Sequence, residues 1–143
     1  MNADVSLTFR FGHPVEQVWQ ALTDAELLEK WIWDNDFKPI QTREFQFRAE
    51  PNEWWDGIVN GKVLKVEEPR VLSYTWDSAG EQTTVQWVLE KETEGTTRLL
   101  FEQGGFSEET KSSEEAMQGA EHAWREMAYQ LGNVLDEMKE SNF

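Results

Sequence analysis

The feature that most constrains this chain is a long amphipathic stretch near its C-terminal end, from about Ser112 to Glu140. Its apolar side chains recur at steps of three, four and seven residues, which places them along one face of a helix. No proline interrupts the stretch. The apolar stripe consists of Met117, Ala120, Trp124, Met127, Leu131, Leu135 and Met138. A stripe of this width predicts a helix that packs against a broad apolar surface.

The N-terminal part predicts a strand followed by two short helices. Apolar and polar residues alternate over Val5–Phe11, as in a strand with one buried face. Pro14 suits the first turn of a helix, and Thr23 or Asp24 can cap the second helix. Residues 32–43 are of mixed character and predict a loop that carries aromatic side chains.

From residue 44 onward the pattern is that of an antiparallel meander. About five alternating segments are separated by turn residues. The predicted strands cover approximately residues 44–49, 54–66, 71–76, 84–90 and 98–103. Gly57 and Gly61 predict a bend or bulge in the second of these. An antiparallel sheet with one apolar face must cover that face, and the long helix is the element wide enough to do so.

Composition narrows the functional classes. The 143 residues predict a single domain, 1–143, and the absence of cysteine excludes disulfides and thiolate chemistry. The net charge of −15 argues against binding to nucleic acid or to an anionic membrane. The chain shows neither a signal peptide nor a membrane-length apolar run, so we expect a cytoplasmic, soluble protein.

Several parts of the chain match one known pattern: Pro14–Trp31, Gly61–Pro69, Val71–Trp76, Thr96–Leu99, Gly104–Phe106 and Trp124. In this order and spacing they resemble the START-like (SRPBCC) superfamily, and most closely its family of activator of heat-shock-protein-90 ATPase homologues. The resemblance implies an α+β helix-grip fold: a curved antiparallel sheet of about six strands, two short helices after the first strand, and a long C-terminal helix across the sheet. It also implies an apolar cavity between sheet and helix. Relatives are mostly carriers of hydrophobic molecules, with a few cyclases and cochaperone modules.

The chain departs from the family pattern at two places. Thr42-Arg43 stand where relatives often have glycines before the second strand. Gln103 stands where many relatives have histidine, which preserves hydrogen bonding but removes a titrating group.

The predicted ligand-binding residues are the aromatic and apolar side chains expected between sheet and helix, together with two polar groups. They are Trp31, Trp33, Phe37, Phe45, Phe47, Tyr74, Trp76, Val85, Trp87, Leu99, Phe101, Gln103, Trp124, Met127 and Leu131. Aromatic walls with adaptable methionines describe a small-molecule pocket, and Tyr74 and Gln103 would orient the ligand. The same side chains could equally fill a solid core.

Signals for catalysis are sparse, and we predict no catalytic residue, metal or cofactor. The sequence lacks a phosphate loop, a paired-histidine metal helix and a nucleophile elbow. His13 is expected to close a turn, and His122 to face water. Two loop pairs, Asp34 with Asp36 and Glu53 with Asp56, could rim a cavity, although solvated loop charges are the simpler interpretation.

Three functions follow from these observations. The first is non-catalytic binding of a small hydrophobic or aromatic ligand that is lipid-, polyketide- or flavonoid-like. The alternative is a stress-related interaction module that activates a chaperone ATPase. The third is a cyclase or hydratase that uses a pocket acid and Tyr74. The sequence leaves open whether the protein is a monomer or a weak homodimer.

Overall fold

The computed structural model describes residues 3–141 of the chain, and the side chains of residues 3–138. Seven antiparallel strands form one sheet in the order β1-β7-β6-β5-β4-β3-β2. The strands are β1 Val5–Phe11, β2 Asp34–Asn35, β3 Glu44–Arg48, β4 Ile58–Glu67, β5 Val71–Ser78, β6 Glu81–Thr93 and β7 Thr96–Gly104. The helices are α1 Val15–Thr23, α2 Ala25–Trp31, α3 Glu108–Lys111 and α4 Glu114–Ser141.

The long helix α4 packs on the sheet as predicted. It begins after Ser113, whose Oγ accepts the backbone N–H of Ala116 at 3.2 Å. Leu131 and Leu135 are fully buried, and Trp124 is 4% exposed. The apolar stripe therefore faces the concave side of the sheet, and the predicted α+β helix-grip architecture is confirmed.

The sheet has seven strands where about six were predicted, because a two-residue strand lies within the segment predicted as a loop. Asp34 and Asn35 pair with Arg48 and Phe47 at the outer edge of β3. Beyond this short pairing, the Asp36 carboxylate accepts the backbone N–H of Gln46 at 2.8 Å. A side chain thus continues the hydrogen bonding of the edge after the strand has ended.

Strand β4 begins at Ile58 and not near Trp54 as predicted. The reason is Gly57, which has a φ of +79° and lies so close to β3 that an added Cβ would be 2.4 Å from the Ala49 carbonyl oxygen. This left-handed, crowded position breaks the extended conformation. The register shift of the strand lies between Val63 and Lys65, and not at Gly57 or Gly61, where a bend or bulge was predicted.

Among residues 3–141, two that are not glycine have left-handed backbone conformations. Thr42 has a φ of +72°, and its N–H donates to the Val63 carbonyl at 2.9 Å. Ala79 has a φ of +54° and, with Gly80 at +79°, forms the two-residue turn between β5 and β6. That turn was predicted, and its two positive φ values are those of a type I′ hairpin.

The turn between β1 and α1 is fastened to the far end of α4. His13 is 5% exposed, and its Nε2 lies 2.8 Å from the Asp136 Oδ1. Its carbonyl accepts the Thr97 hydroxyl at 2.8 Å, and Gln17 donates to the Leu135 carbonyl at 3.2 Å. His13 thus links the turn to β7 and to α4, whereas its predicted role in closing the turn itself stays a prediction.

Candidate ligand-binding cavity

A cavity of about 390 Å³ lies between the N-terminal half of α4 and the end of the sheet near the β5–β6 turn. Its volume falls within the range of small-molecule sites. The lining residues come from four strands, α4, three loops and the β5–β6 turn. They are Trp33, Trp55, Val59, Trp76, Ser78, Ala79, Glu81, Thr83, Gln103, Phe106, Ala120, Ala123, Trp124 and Met127.

Four tryptophans form the aromatic part of the wall. The ring centroids of Trp76 and Trp124 are 4.9 Å apart, so sheet and helix meet through these two indoles. Trp33 lies 6.2 Å from Trp76 and 5.6 Å from Trp55, which extends the series toward the mouth of the cavity. Flat rings in such contact favour a planar, apolar or aromatic guest.

Five of the fifteen predicted site residues line this cavity: Trp33, Trp76, Gln103, Trp124 and Met127. The structure places the other ten together as buried core packed behind the wall. These are Trp31, Phe37, Phe45, Phe47, Tyr74, Val85, Trp87, Leu99, Phe101 and Leu131. Ten of the predicted residues therefore belong to a solid core and five to a cavity wall; that those five bind a ligand stays a prediction.

A chain of hydrogen bonds runs along the cavity wall. The Trp124 indole N–H donates to Gln103 Oε1 at 2.9 Å, and Gln103 Nε2 donates to Thr83 Oγ1 at 3.0 Å. The Thr83 hydroxyl donates in turn to the Trp76 carbonyl at 3.0 Å. Gln103 and Thr83 are each 3% exposed, so these bonds satisfy polar groups that burial would otherwise leave unpaired.

Tyr74, predicted as an orienting group, lies in the core. Its hydroxyl accepts the Trp87 indole N–H at 2.9 Å, and burial raises the pKa of the phenol above its usual value. Tyr74 is absent from the cavity wall. The structure therefore does not bring Tyr74 and a pocket acid together, as the cyclase hypothesis requires.

The carboxylate that lines the cavity is Glu81, which was not among the predicted residues. It accepts the backbone N–H of Ser107 and, at 3.1 Å, the hydroxyl of Thr110. The bond from the Ser107 N–H is the main reason why the pKa of Glu81 is lowered. Asp4 accepts the backbone N–H groups of Gly105 and Phe106, so two carboxylates hold the segment that places Phe106 in the wall.

The acidic pairs predicted from the loops serve local structure. Asp34 forms an ion pair with Arg48 at 2.9 Å, and Asp56 accepts the Ile58 N–H at 3.0 Å. Glu53 and Asp56 line a separate polar groove of about 890 Å³ that also includes Trp54, which is 88% exposed. Most residues that line this groove are exposed, whereas the wall of the aromatic cavity also contains buried residues, namely Val59, Trp76, Thr83, Gln103 and Trp124.

His122 is exposed, as predicted. Within the part of the chain that the structure describes, no group of three or more His, Cys, Asp or Glu side chains is placed to hold a metal ion. Within the same residues no helix has the length and apolarity to cross a bilayer.

Sequence reasoning missed much of the cavity's mouth. Trp55 and Phe106 lie outside regular strands, where alternation carries no information about direction. One signal was available on the helix: Ala120 and Ala123 put two small side chains beside Trp124, and small residues opposite aromatic ones leave space.

The location of the cavity, between a curved sheet and a C-terminal helix, agrees with the family resemblance. Residues 12–136 match the family described as Activator of Hsp90 ATPase homolog 1-like protein. The chain belongs to this family. No curated protein matches its sequence.

Solved structures of other family-like proteins share the fold. Protein MLL2253 from Mesorhizobium loti is 32% identical, with 93% of this chain and 98% of that chain covered and a TM-score of 0.79. DynU16, from the dynemicin biosynthetic locus, is 19% identical and has a TM-score of 0.77; the match covers 92% of this chain and 46% of DynU16. An HSP90 activator from Plasmodium falciparum is 15% identical and has a TM-score of 0.75; the match covers 92% of this chain and 95% of that chain.

Proposed function

We propose that this protein is a cytoplasmic, single-domain binder of a small hydrophobic or aromatic molecule. The observation that carries the proposal is the cavity of about 390 Å³ with four tryptophans and Met127 in its wall. Burying a few hundred Å² of apolar ligand surface at about 25 cal/mol per Å² supports micromolar binding without covalent chemistry.

The geometry supports a planar ligand of polyketide or flavonoid type more than a flexible lipid chain. Trp76 and Trp124 have tilted rings 4.9 Å apart and give the wall a fixed aromatic surface. The sulfur of Met127 can adjust to different ring systems. The similar DynU16 is a protein of the dynemicin biosynthetic locus, which is in keeping with an aromatic guest.

Binding can be tested by titrating the protein with the neutral aromatic dye N-phenyl-1-naphthylamine, with flavonoids and with aromatic polyketides. Ligand entry is expected to change tryptophan emission saturably, and Trp76→Ala or Met127→Ala is expected to weaken the response. Tyr129→Ala is the matched control, because Tyr129 is on the same helix but 68% exposed. A response that never saturates, or that the two wall variants leave unchanged, would contradict the proposal.

A chaperone is the second candidate partner, favoured by similarity to an HSP90 activator and by the family description. The net charge of −15 would suit a basic chaperone surface. A pull-down with purified Hsp90 at low ionic strength, where charge contacts persist, tests this function. Retention that is lost as salt rises would support it, and no retention at low salt would count against it.

A further inference from the structure

The orientation of the Gln103 amide in the cavity wall is fixed by chemistry. An indole N–H can only donate, so the atom of Gln103 that lies 2.9 Å from the Trp124 Nε1 must be the amide oxygen. The amide nitrogen is then the group that lies 3.0 Å from the Thr83 Oγ1. The Thr83 hydroxyl already donates to the Trp76 carbonyl, so it accepts from Gln103.

This arrangement leaves hydrogen-bonding capacity unused. A primary amide carries two N–H donors, and among the described residues only Thr83 accepts from the Gln103 nitrogen. Gln103 is 3% exposed and lines the cavity. A buried donor without an acceptor destabilises the state that contains it, so a guest that supplies an acceptor gains an interaction that a hydrocarbon cannot.

The charge of the wall restricts the acceptor further. The lining includes the carboxylate of Glu81 and no lysine or arginine. An anionic guest would therefore meet repulsion without a compensating cation, in a protein of net charge −15. A neutral oxygen, such as that of a ketone or an ether, avoids this cost.

We propose that Gln103 selects the ligand by donating its second amide hydrogen to a neutral acceptor oxygen on an aromatic guest. This inference rests on the proposed binding function and adds the class of molecule, a neutral aromatic ketone or ether in preference to a hydrocarbon or a carboxylate. Trp124 has a positioning role. Its indole N–H binds the amide oxygen of Gln103, and this bond fixes which end of the amide carries the nitrogen.

A matched pair of probes tests the selection. Benzophenone and 1,1-diphenylethylene have nearly the same shape, and a methylene group replaces the carbonyl oxygen in the second. Dissociation constants for both are measured with wild type, with Gln103→Met and with Gln86→Met. Gln86 lies on the outward face of β6 and serves as the control for the substitution itself.

We expect Gln103→Met to weaken benzophenone binding about tenfold, the worth of one buried hydrogen bond, and to change 1,1-diphenylethylene binding less than about twofold. Gln86→Met should change neither. An equal loss for both probes would overturn the inference, because it would show a packing effect only.

A measurement on the wild type covers the case in which Gln103→Met does not fold. The infrared carbonyl stretch of bound benzophenone should lie below its value in a hydrocarbon solvent, as for a hydrogen-bonded ketone. A stretch at the hydrocarbon value would overturn the inference. If 1,1-diphenylethylene binds and benzophenone does not, the binding function stands and the role of Gln103 is wrong. If neither binds, both proposals fail for this class of ligand.

Discussion

His13 and Asp136 are 123 residues apart in sequence, yet the imidazole Nε2 and the carboxylate Oδ1 lie 2.8 Å from each other. The imidazole is buried, whereas the side chain of Asp136 is 73% exposed. One exposed carboxylate thus pairs with the Nε2 of a ring inside the fold, while the Nδ1 of the same ring is buried without a partner, and the contact ties the first turn of the chain to α4.

Removal of the Asp136 carboxylate should lower the free energy of unfolding more than the high exposure of this side chain suggests. Asp136→Ala leaves the buried His13 Nε2 without its partner, and we expect a loss of about 1–2 kcal/mol in the free energy of unfolding. Urea denaturation at pH 7 measures the loss. Glu126→Ala, exposed on the same helix, should stay within about 0.5 kcal/mol of wild type. Equal values for the two variants would show that the His13 contact is not stabilising.

A lower pH should weaken the hydrogen bonds by which Glu81 holds the segment that carries Phe106. The pKa of Glu81 is lowered in the folded protein, chiefly by the Ser107 N–H, from an ordinary value of 4.5. A depressed folded pKa contributes stability above the unfolded value, and this contribution is lost as pH falls through the folded value. Since Glu81 is only partly buried, the effect should be small.

Glu81→Gln should therefore flatten the fall in unfolding free energy as the pH drops below the ordinary pKa of 4.5 and through the lowered pKa of the folded state. Amide hydrogen exchange at Ser107 should quicken in the same variant. Glu109→Gln makes the same charge change on the exposed side of α3 and should alter neither quantity. If the free energy of unfolding depends on pH identically in both variants, Glu81 does not have this role.

Glycine at position 42 should stabilise the fold. A β-branched residue at a φ of +72° is strained by roughly 1–3 kcal/mol, and glycine relieves the strain while adding some freedom to the unfolded chain. Thr42→Gly is expected to raise the free energy of unfolding by about 1 kcal/mol. The neighbouring Arg43→Gly, where φ is not positive, should lower it. Destabilisation by Thr42→Gly would mean that the threonine makes compensating contacts.

Truncation of a core residue should lower the stability much more than truncation of a residue in the cavity wall. Phe101 is fully buried and lies outside the cavity wall, so Phe101→Ala should cost about 3–5 kcal/mol of stability. Met127 is half-buried beside empty space, so Met127→Ala should cost less than about 2 kcal/mol while still weakening ligand binding. Thermal unfolding and dye titration of both variants provide the comparison. Comparable stability losses would indicate that the cavity is closed in solution.

The sequence predicted the elements better than it predicted the cavity. A period of two marked the strands, and steps of three and four marked α4, because those patterns arise from burial on one face. The period of two places Phe101 and Trp76 on the concave side, and the structure agrees. Neither pattern tells whether an inward-facing side chain lies in the packed core or at the end of the sheet where the cavity is. The core residues and the cavity-wall residues could therefore not be separated from the sequence.

The remaining errors come from backbone conformation and from long-range partners. Trp54 continued a strand pattern, but the left-handed Gly57 interrupts the extended chain before β4. Distant segments are joined by the hydrogen bonds between His13 and Asp136 and between Ser107 and Glu81. Such pairs depend on the final packing of sheet against helix, which local periodicity does not encode.

The Asp36 side chain has a consequence for behaviour at high concentration. By occupying the amide of Gln46, it takes away a main-chain donor that an incoming strand from a second molecule would need. The partner strand there is only two residues long, so Asp36→Ala would leave the Gln46 N–H free for β-pairing with a second molecule.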